Sequence, residues 1–460
     1  MAPVITWFRQ DLRLADNPAL AAALATGQPV LCLYIHDDET PGIWRSGGAS
    51  RWWLHQSLQA LSDDIEHIGG SLILRRGGAE DVLLRLVAET KATAVFWNRC
   101  YEPFAVERDK RLKTKVTQVG VRAESANGSL LFEPWEVRTG AGTPFKVFTP
   151  FWRAACALPG AGRPLPAPRR LTPAAAASER LNDWHLLPTT PDWAGGLRAM
   201  WTPGEAGARA RLKAFLKHLA GYREARDRPG TEGTSRLSPH LHFGEISPRQ
   251  VWHAIAARES DGDKFLAEIG WREFAHHLLF AHPTLPEQPL DPKFAAFPWA
   301  DDDEGFAAWT RGRTGFPIVD AGMRQLWHTG WMHNRVRMIA ASFLIKHLGI
   351  DWRRGEAWFW DTLVDADLAN NAASWQWVAG CGADAAPFFR IFNPVLQGEK
   401  FDPTGAYIRA WIPELNHLTD RFIHKPWTAP QPPKDYPAPI LDLAERRARA
   451  LANYRSLSPP

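Results

Sequence analysis

The sequence is poor in the features that mark several large classes of protein. Its 460 residues contain four cysteines and no CxxC pair: Cys32, Cys100, Cys156 and Cys381. Such widely separated cysteines are typical of a reducing compartment, argue against a zinc ribbon and are expected to be small core residues. The longest apolar stretches, such as residues 339–345, are far shorter than the roughly 20 residues that span a bilayer. We therefore predict a cytoplasmic protein that contacts no membrane.

Motifs for phosphate and metal chemistry are missing as well. The sequence has no Gly-Lys dipeptide, and hence no P-loop, and it has no HExxH zinc helix. A GxGxxA match at residues 380–385 follows a tryptophan-rich helical stretch instead of a strand that opens a βαβ unit, so we interpret it as a chance match. These absences argue against P-loop nucleotide hydrolysis and metalloprotease chemistry, and we expect no bound metal.

Tryptophan is the residue that is present in excess. There are 23 Trp but only 6 Tyr, so generic aromatic packing does not explain the preference for indole. The indoles belong either to a large core with aromatic-rich interfaces or to stacking surfaces for bases or a redox cofactor. A net charge of +4 indicates a mild attraction to polyanions.

Hydrophobic periodicity predicts two domains and a connector. Residues 1–130 alternate apolar runs with amphipathic stretches, which predicts an α/β domain with a doubly wound parallel sheet. Residues 131–195 are rich in Pro and Ala and are predicted to form a linker. Residues 196–460 have helical period, which predicts an all-helical domain. The strands of the first domain are expected at 4–8, 30–35, 71–74, 94–97 and 121–125, and its helices at 17–25, 49–68, 79–88 and 105–119.

Four short segments of the helical part concentrate chemically useful side chains. In the first, hydroxyl residues precede a helix start with Ser238 as the expected N-cap and Pro239 after it, an arrangement that suits a phosphate. In the second, helical spacing places Glu268, Trp271 and Arg272 on one face. Taken alone, these two segments are better explained by a plain helix cap and by a surface ion pair beside a core tryptophan.

The third and fourth segments bring amides, cations and carboxylates together. On one helix Asn334 and Met338 share a face, with Arg337 beside them. Residues 365–377 crowd carboxylates, amides and indoles into one short stretch, where a carboxylate can accept from ribose hydroxyls or a ring N–H. The simpler alternatives are a core methionine, solvated arginines and ordinary Asp and Asn caps.

In their order and spacing, these segments resemble the photolyase/cryptochrome family of flavoproteins. The similarity extends from the N-terminus to about residue 415 and rests on WFRQDLRL (7–14), GTSRLSP (233–239), EIGWREF (268–274), TGFPIVDAGMRQL (314–326), TGWMHNRVRM (329–338), DADLANNAASWQW (365–377) and DAAPFFRIFNPVLQGEKFDP (384–403). Within the family, the sequence is most similar to bacterial cyclobutane pyrimidine dimer (CPD) photolyases of the class III-like branch, close to plant cryptochromes. The resemblance implies a Rossmann-like antenna domain and a helical FAD-binding domain.

The resemblance implies a U-shaped FAD in the helical domain. The matching positions are Tyr222, Thr234, Ser235, Leu237, Ser238, Arg272, Asn334, Arg337, Asp365, Asp367 and Asn371. Among them, Arg337 and Asp365 are expected to pair beside the flavin. Asn371 is expected to face N5, where an amide can donate or accept as the protonation of N5 changes.

The activity that the resemblance implies is light-driven repair of CPDs in UV-damaged DNA. An electron passes from excited FADH⁻ to a dimer that has been flipped out of the duplex, and it returns after the dimer has split. The pocket residues implied for this reaction are Glu268, Trp271, Asn334, Met338 and Trp377, and the implied phosphate contacts are Arg335, Arg390 and Lys400. We expect the protein to act as a monomer.

Two further elements follow from the resemblance. Trp375, Trp352 and Trp299 match the family's electron-transfer chain, which reduces oxidised FAD in light, and other indoles such as Trp358, Trp360 and Trp411 leave a second branch open. The antenna site departs from the family pattern, because the carboxylate after Tyr101-Glu102 comes only at Glu107. We favour methenyltetrahydrofolate (MTHF) as the antenna, with a deazaflavin or an empty site as alternatives.

Three other functions compete with CPD repair. A cryptochrome photoreceptor is disfavoured because Asn371 is an amide where plant cryptochromes carry an acid, and because the chain stops at Pro460 without a long signalling tail. A (6-4) photolyase would be expected to carry a histidine pair in the region of residues 334–338. A flavin electron carrier without photochemistry would leave the dimer pocket unexplained.

Overall fold

The computed structural model describes residues 1–160, 162–257 and 262–457, and the chain divides into two compact units. The first unit comprises residues 1–145, 149–217 and 235–283, and the second comprises residues 146–148, 218–234 and 284 onward. No helix in these described ranges is long and apolar enough to cross a bilayer.

The first unit is built on a five-stranded parallel sheet with the strand order β3-β2-β1-β4-β5. The central strand β1 is buried at all five residues, and Val4 pairs with both Val30 and Ala94. Continuous apolar runs of this kind are typical of parallel strands that are covered on both faces. The predicted sheet is confirmed. Its strands are β1 Val4–Phe8, β2 Val30–His36, β3 Leu72–Arg76, β4 Ala94–Asn98 and β5 Arg122–Ala126.

Outside the sheet, the regular secondary structure of the described residues is helical. Within the described residues the second unit has no named strand, which confirms the helical prediction. The first helices of the first unit are α1 Pro18–Ala25, α2 Gly48–His67, α3 Ala79–Thr90, α4 Pro103–Gln118, α5 Phe148–Ala157 except for its first residue, α6 Gly195–Met200 and α7 Glu205–Phe215. The next helix, α8 Tyr222–Ala225, belongs to the second unit. The chain then returns to the first unit with α9 Ser238–His242, α10 Pro248–Ala256 and α11 Gly262–Ala281. The second unit continues with α12 Asp303–Thr310, α13 Pro317–Thr329, α14 Asn334–Ser342, a π-helical turn Phe343–Leu348, α15 Trp352–Thr362, α16 Leu368–Ala379, α17 Pro394–Phe401, α18 Ala406–Trp411 and α19 Leu443–Arg455.

Three local expectations differ from the structure. Ser238 is not an N-cap, because Leu237 already has helical backbone angles and occupies the cap position, which makes Ser238 the first residue of α9. Cys156 is exposed on α5 and is not a core residue, whereas the other three cysteines are buried. Residues 149–195 of the expected linker belong to the first unit, where they contain α5 after its first residue and Trp184, which is 3% exposed.

Candidate functional site

The segment before α14 is shaped by a buried histidine. Gly330 ends α13 in the left-handed conformation at φ 65°, and His333 then caps α14, with Nδ1 accepting from the backbone N–H of Arg335 at 3.2 Å. Burial lowers the pKa of His333 to about 4, so the ring is neutral. With Nδ1 as the acceptor, the proton lies on Nε2, for which the described residues supply no hydrogen-bond partner.

An ion pair links α14 to the loop before α16. The Nη2 atom of Arg337 lies 2.8 Å and 3.1 Å from the two carboxylate oxygens of Asp365, and its Nε donates to the carbonyl of Met332 at 2.7 Å. The side chain of Asp365 is 2% exposed. The predicted pair is therefore present, and the guanidinium is held from two sides. On the same helix, the amide nitrogen of Asn334 lies 4.0 Å from the sulfur of Met338, consistent with their shared face.

Helix α16 presents the amide that is expected to face the flavin. Asp367 caps the helix by accepting from the backbone N–H of Asn370 at 2.8 Å. Buried Asn371 donates from Nδ2 to the carbonyl of Glu356 on α15 at 3.1 Å. This bond fixes the amide orientation, so the carbonyl oxygen of Asn371 is the group left for a ligand.

The predicted tryptophan chain lies within the core of the second unit. Trp375 and Trp352 are 2% and 1% exposed, and Trp299 is partly buried against the same cluster. A Cβ atom at Gly355, three residues after Trp352, would lie 2.2 Å from the Trp375 ring. The α15 backbone therefore approaches Trp375 at a point where only glycine fits. Trp299 packs against Phe297 with ring centroids 4.2 Å apart and the ring planes tilted by 39°.

A second row of aromatic rings begins at Trp375 and includes Trp358, one of the indoles for which the sequence left a second branch open. Its other members were not identified from the sequence. Trp309 is fully buried, 6.3 Å from Trp375 between ring centroids. Phe306 lies 5.9 Å from Trp309 and 6.4 Å from Trp358, which stacks at 6.0 Å on Trp327. Trp327 is 61% exposed. The tryptophan excess was the available signal, but spacing along the chain does not show which rings meet.

Helix α11 of the first unit carries two predicted pocket residues, Glu268 and Trp271, and the predicted FAD contact Arg272. The other predicted pocket residue, Trp377, is on α16. Glu268 lies 3.3 Å from Lys264, and Trp271 packs edge-on against Phe274 at 5.9 Å. The guanidinium of Arg272 donates to the carbonyl of Ser129 at 2.8 Å. All three predicted side chains are of intermediate exposure, so they are within reach of a ligand.

Sequence reasoning overlooked the neighbouring carboxylate of α11. Glu273 is fully buried, and its Oε2 accepts from the backbone N–H groups of Leu131 and Phe132 at 2.8 Å and 3.3 Å. Burial raises the pKa of Glu273 to about 7. Its contacts are with the chain of its own unit, which indicates that it positions α11.

The residues expected around the diphosphate fall into both units. Ser235 accepts from the backbone N–H of Leu237 at 3.3 Å in the first unit. In the second unit Tyr222 is buried and Thr234 is half-buried. A Cβ atom at Gly233 would lie 2.5 Å from the carbonyl of Ala225, so this turn requires glycine for its close approach to α8.

The three residues predicted to contact phosphates differ in exposure and in whether an acidic side chain already pairs with them. Arg335 is engaged, because its Nη2 lies 2.8 Å from Asp227 and its guanidinium lies over the ring of Phe401 at 4.4 Å. Arg390 and Lys400 are exposed. A cationic surface in the second unit therefore rests mainly on the latter two residues.

Side chains occupy the crevice at the carboxyl ends of the central strands, where a parallel α/β domain usually binds its ligand. Ligands in such domains bind where the strand order reverses, here between β1 and β4. Arg9, directly after β1, is buried and paired with Asp109 at 2.7 Å. Asn98, the last residue of β4, donates to Asp11 at 2.6 Å. The exposed Glu107 is paired with Lys110 at 2.7 Å.

The five-stranded parallel sheet of one unit, and the helices of the other with their Arg337–Asp365 pair and tryptophan cluster, match the architecture that the resemblance to the photolyase/cryptochrome family implies. Family comparison agrees: a DNA photolyase model matches residues 4–169, and a model of the FAD binding domain of DNA photolyase matches residues 265–456. The chain belongs to the photolyase/cryptochrome family.

Individual relatives are similar over nearly the whole chain. A deoxyribodipyrimidine photo-lyase from Agrobacterium fabrum is 53% identical, covering 99% of this chain and 98% of its own. Cryptochrome-1 from Arabidopsis thaliana is 40% identical over 97% of this chain and 69% of its own. The crystal structure of a bacterial class III photolyase from Agrobacterium tumefaciens superposes with a TM-score of 0.96 at 53% identity, covering 99% of this chain and 98% of that one.

Proposed function

We propose that the protein repairs cyclobutane pyrimidine dimers in DNA with the energy of light. The observation that carries the proposal is the Arg337–Asp365 pair, together with the buried amide of Asn371 on the helix that follows, within the region that the FAD-binding family model matches. The 53% identity to a photo-lyase over nearly the full chain supports the same activity.

The donor set of the second unit fits a flavin. A guanidinium paired with a buried carboxylate offers charge-assisted hydrogen bonds, and the carbonyl oxygen of Asn371 has no hydrogen-bond partner among the described residues. Reduced FAD, when bound, supplies the electron that the reaction requires on excitation. The further FAD contacts that we propose are Tyr222, Thr234, Ser235, Leu237, Ser238, Arg272, Asn334 and Asp367.

In this proposal, the chemical type of residue 371 decides whether a proton donor lies beside the flavin. Its Nδ2 is bound to the carbonyl of Glu356, so its oxygen accepts hydrogen bonds at the ligand side. An amide cannot release a proton near neutral pH, whereas an acid at this position can. The Asn371 side chain therefore orients a hydrogen bond without acting as a proton donor.

The lesion pocket in the proposal uses stacking and one carboxylate. Trp271 and Trp377 are only partly buried and offer indole faces to a flipped dimer, and Met338 adds a polarizable contact. Glu268 hydrogen-bonds the damaged base and stabilises charge that develops on its carbonyl. Arg390 and Lys400, with Arg335, contact the phosphates.

Two routes for activating electrons are proposed. The first uses Trp375, Trp352 and Trp299, and the second leaves Trp375 through Trp309 toward exposed Trp327. For the antenna we propose MTHF, because side chains fill the crevice between β1 and β4 that a buried deazaflavin would need. We further propose a cytoplasmic monomer.

A photoreceptor role is the second candidate, favoured by the 40% identity to Arabidopsis thaliana cryptochrome-1. Equilibrium binding separates the two functions. The purified protein should show flavin absorption bands and bind a CPD-containing duplex at least ~10-fold more tightly than the undamaged duplex at one fixed salt concentration. Equal affinity for both duplexes would favour the photoreceptor.

A further inference from the structure

A buried lysine in the second unit has an unusual set of partners. Lys346 lies in the π-helical turn after α14 and is 2% exposed. Its Nζ donates to the carbonyl of Ala379 at 3.1 Å and to the carbonyl of Phe388 at 3.3 Å. The ring of Phe388 lies on another side, with its centroid 3.4 Å from Nζ. The ammonium thus connects two points of the chain that are nine residues apart.

Stability alone does not explain a lysine at this position. No carboxylate pairs with Lys346 in the part of the chain that the structure describes, and the titratable group that faces it is the Cys381 thiol, whose pKa burial raises to about 12. Burial lowers the pKa of Lys346 to about 7. An apolar side chain of similar length would avoid the desolvation of a buried ammonium.

The two carbonyls belong to elements that the proposed function uses. Ala379 is the last residue of α16, the helix that carries Trp377, and carbonyls at a helix end lack partners within the helix. Phe388 precedes Phe389, which is 66% exposed, and the exposed Arg390. These two residues form the tip of the 387–391 turn, which is closed by Arg390 N–H donating to the carbonyl of Pro387 at 2.8 Å.

We propose that Lys346 is a positioning residue that fixes the 387–391 turn relative to α16. In this arrangement Phe389 supplies a stacking surface and Arg390 a phosphate contact at a set distance from Trp377. Lys346 itself touches neither DNA nor cofactor. The inference rests on the proposed function, because it assigns the turn and α16 to one DNA-binding surface.

The first test replaces the ammonium without emptying the space. Lys346→Met in the full, FAD-loaded protein should bind a CPD duplex ~10-fold more weakly, with a smaller loss on undamaged duplex. Repair per photon at saturating DNA should be unchanged, and the thermal unfolding midpoint should be equal to or higher than that of wild type. Lys293→Met is the matched control. Like Lys346, Lys293 lies near an aromatic ring, that of Tyr454 at 5.4 Å, but Lys293 pairs with Asp291. It should bind as wild type does.

A double-mutant comparison tests whether Lys346 acts through the turn. In a variant that already carries Phe389→Ala and Arg390→Ala, Lys346→Met should weaken binding by less than ~2-fold. The effects of substitutions that act through the same turn on the binding free energy are not additive. Full additivity, unchanged affinity, loss of FAD or a lower unfolding midpoint would overturn the inference. If wild type itself does not prefer the CPD duplex, the proposed function fails, whereas a preference that Lys346→Met leaves intact rejects only the role of Lys346.

Discussion

The two units differ in how individual buried charges are paired. In the first unit, the two arginines that follow β1 have several carbonyl acceptors or a partner of opposite charge. Arg13 is fully buried and donates to the carbonyls of Asp16, Gly128 and Gly244 at 2.6–2.8 Å. Arg9 is paired with Asp109. These charges cross-link loops of the unit to one another.

In the second unit, several buried titratable groups lack a partner of opposite charge. Glu356 is 1% exposed, and neither of its carboxyl oxygens has a hydrogen-bond partner among the described residues. His333 and His347 each retain one ring nitrogen without a partner there, and burial lowers the pKa of both to about 4. Lys346 has no carboxylate partner in the described chain. Unpaired buried groups of this kind cost stability.

The difference shows where the molecule gives up stability. The unpaired groups lie on or directly beside α14 and α15, the helices that carry Arg337 and hold Asn371 in place. Departures from a fully satisfied core are expected at functional sites. Arg9 and Arg13 of the first unit thus have partners for their charge, whereas the second unit accepts local costs in stability around the proposed flavin site.

The largest effect is expected from removing the paired cation of the second unit. Arg337→Ala leaves Asp365 buried without its partner, which should lower the free energy of unfolding by about 3 kcal/mol and release FAD. Flavin absorbance after gel filtration and urea unfolding measure both effects. Lys425→Ala, which removes an exposed pair with Glu399, should cost less than ~1 kcal/mol. Similar losses in the two variants would contradict the assignment of Asp365 to the site.

The next effect concerns electron supply. Trp352→Phe should slow photoreduction of oxidised FAD at least ~10-fold, yet leave repair intact after chemical reduction, because the tryptophan chain activates the flavin and takes no part in dimer splitting. Trp309→Phe is the matched comparison on the other row of rings. Equal slowing by both variants would show two routes of similar weight, and equal loss of photoreduction and repair in Trp352→Phe would make Trp352 structural.

A smaller effect is expected at the lesion pocket. Trp271→Ala removes a stacking surface worth roughly 1–3 kcal/mol, so affinity for CPD duplex should fall about 5- to 150-fold while undamaged duplex binds almost as before. Glu268→Ala should chiefly lower the repair yield per absorbed photon. Titrations of both duplexes at one salt concentration decide this. A parallel loss on both duplexes would place these residues in the scaffold of α11.

The smallest expected effect is a pH dependence of stability. Burial raises the folded-state pKa of Glu356, so its protonated form stabilises the fold at low pH, and this contribution is lost as pH rises toward the folded pKa. Each pH unit in that window removes up to ~1.4 kcal/mol from the wild type. Glu356→Gln should remove the contribution of Glu356 and so weaken the fall of stability in urea unfolding at pH 5, 6.5 and 8, whereas Glu399→Gln should leave it unchanged. The raised pKa of Glu273 sustains the remaining dependence. A constant difference between wild type and Glu356→Gln would refute the buried neutral carboxyl.

The sheet was predictable because its signal is local. Strands β1, β2 and β4 are short, almost fully buried runs of mainly apolar residues, whereas the edge strand β5 is polar and partly exposed. Strand β3 extends two residues beyond the expected end because Arg75 and Arg76 still pair with β2. The Arg337–Asp365 pair was predictable only through the family motifs. Contacts such as Trp309 with Trp375 or Lys346 with Phe388 join residues 42 to 66 positions apart, and no periodicity encodes them.

Repair of dimer-containing oligothymidylate, followed in light and in darkness with the flavin chemically reduced, tests the central claim most directly. The account predicts restoration of the thymine absorbance in blue or near-ultraviolet light and none in darkness, with Trp352→Phe as active as wild type. Absence of repair in light by the FAD-loaded, reduced protein, or equal repair in darkness, would contradict the account.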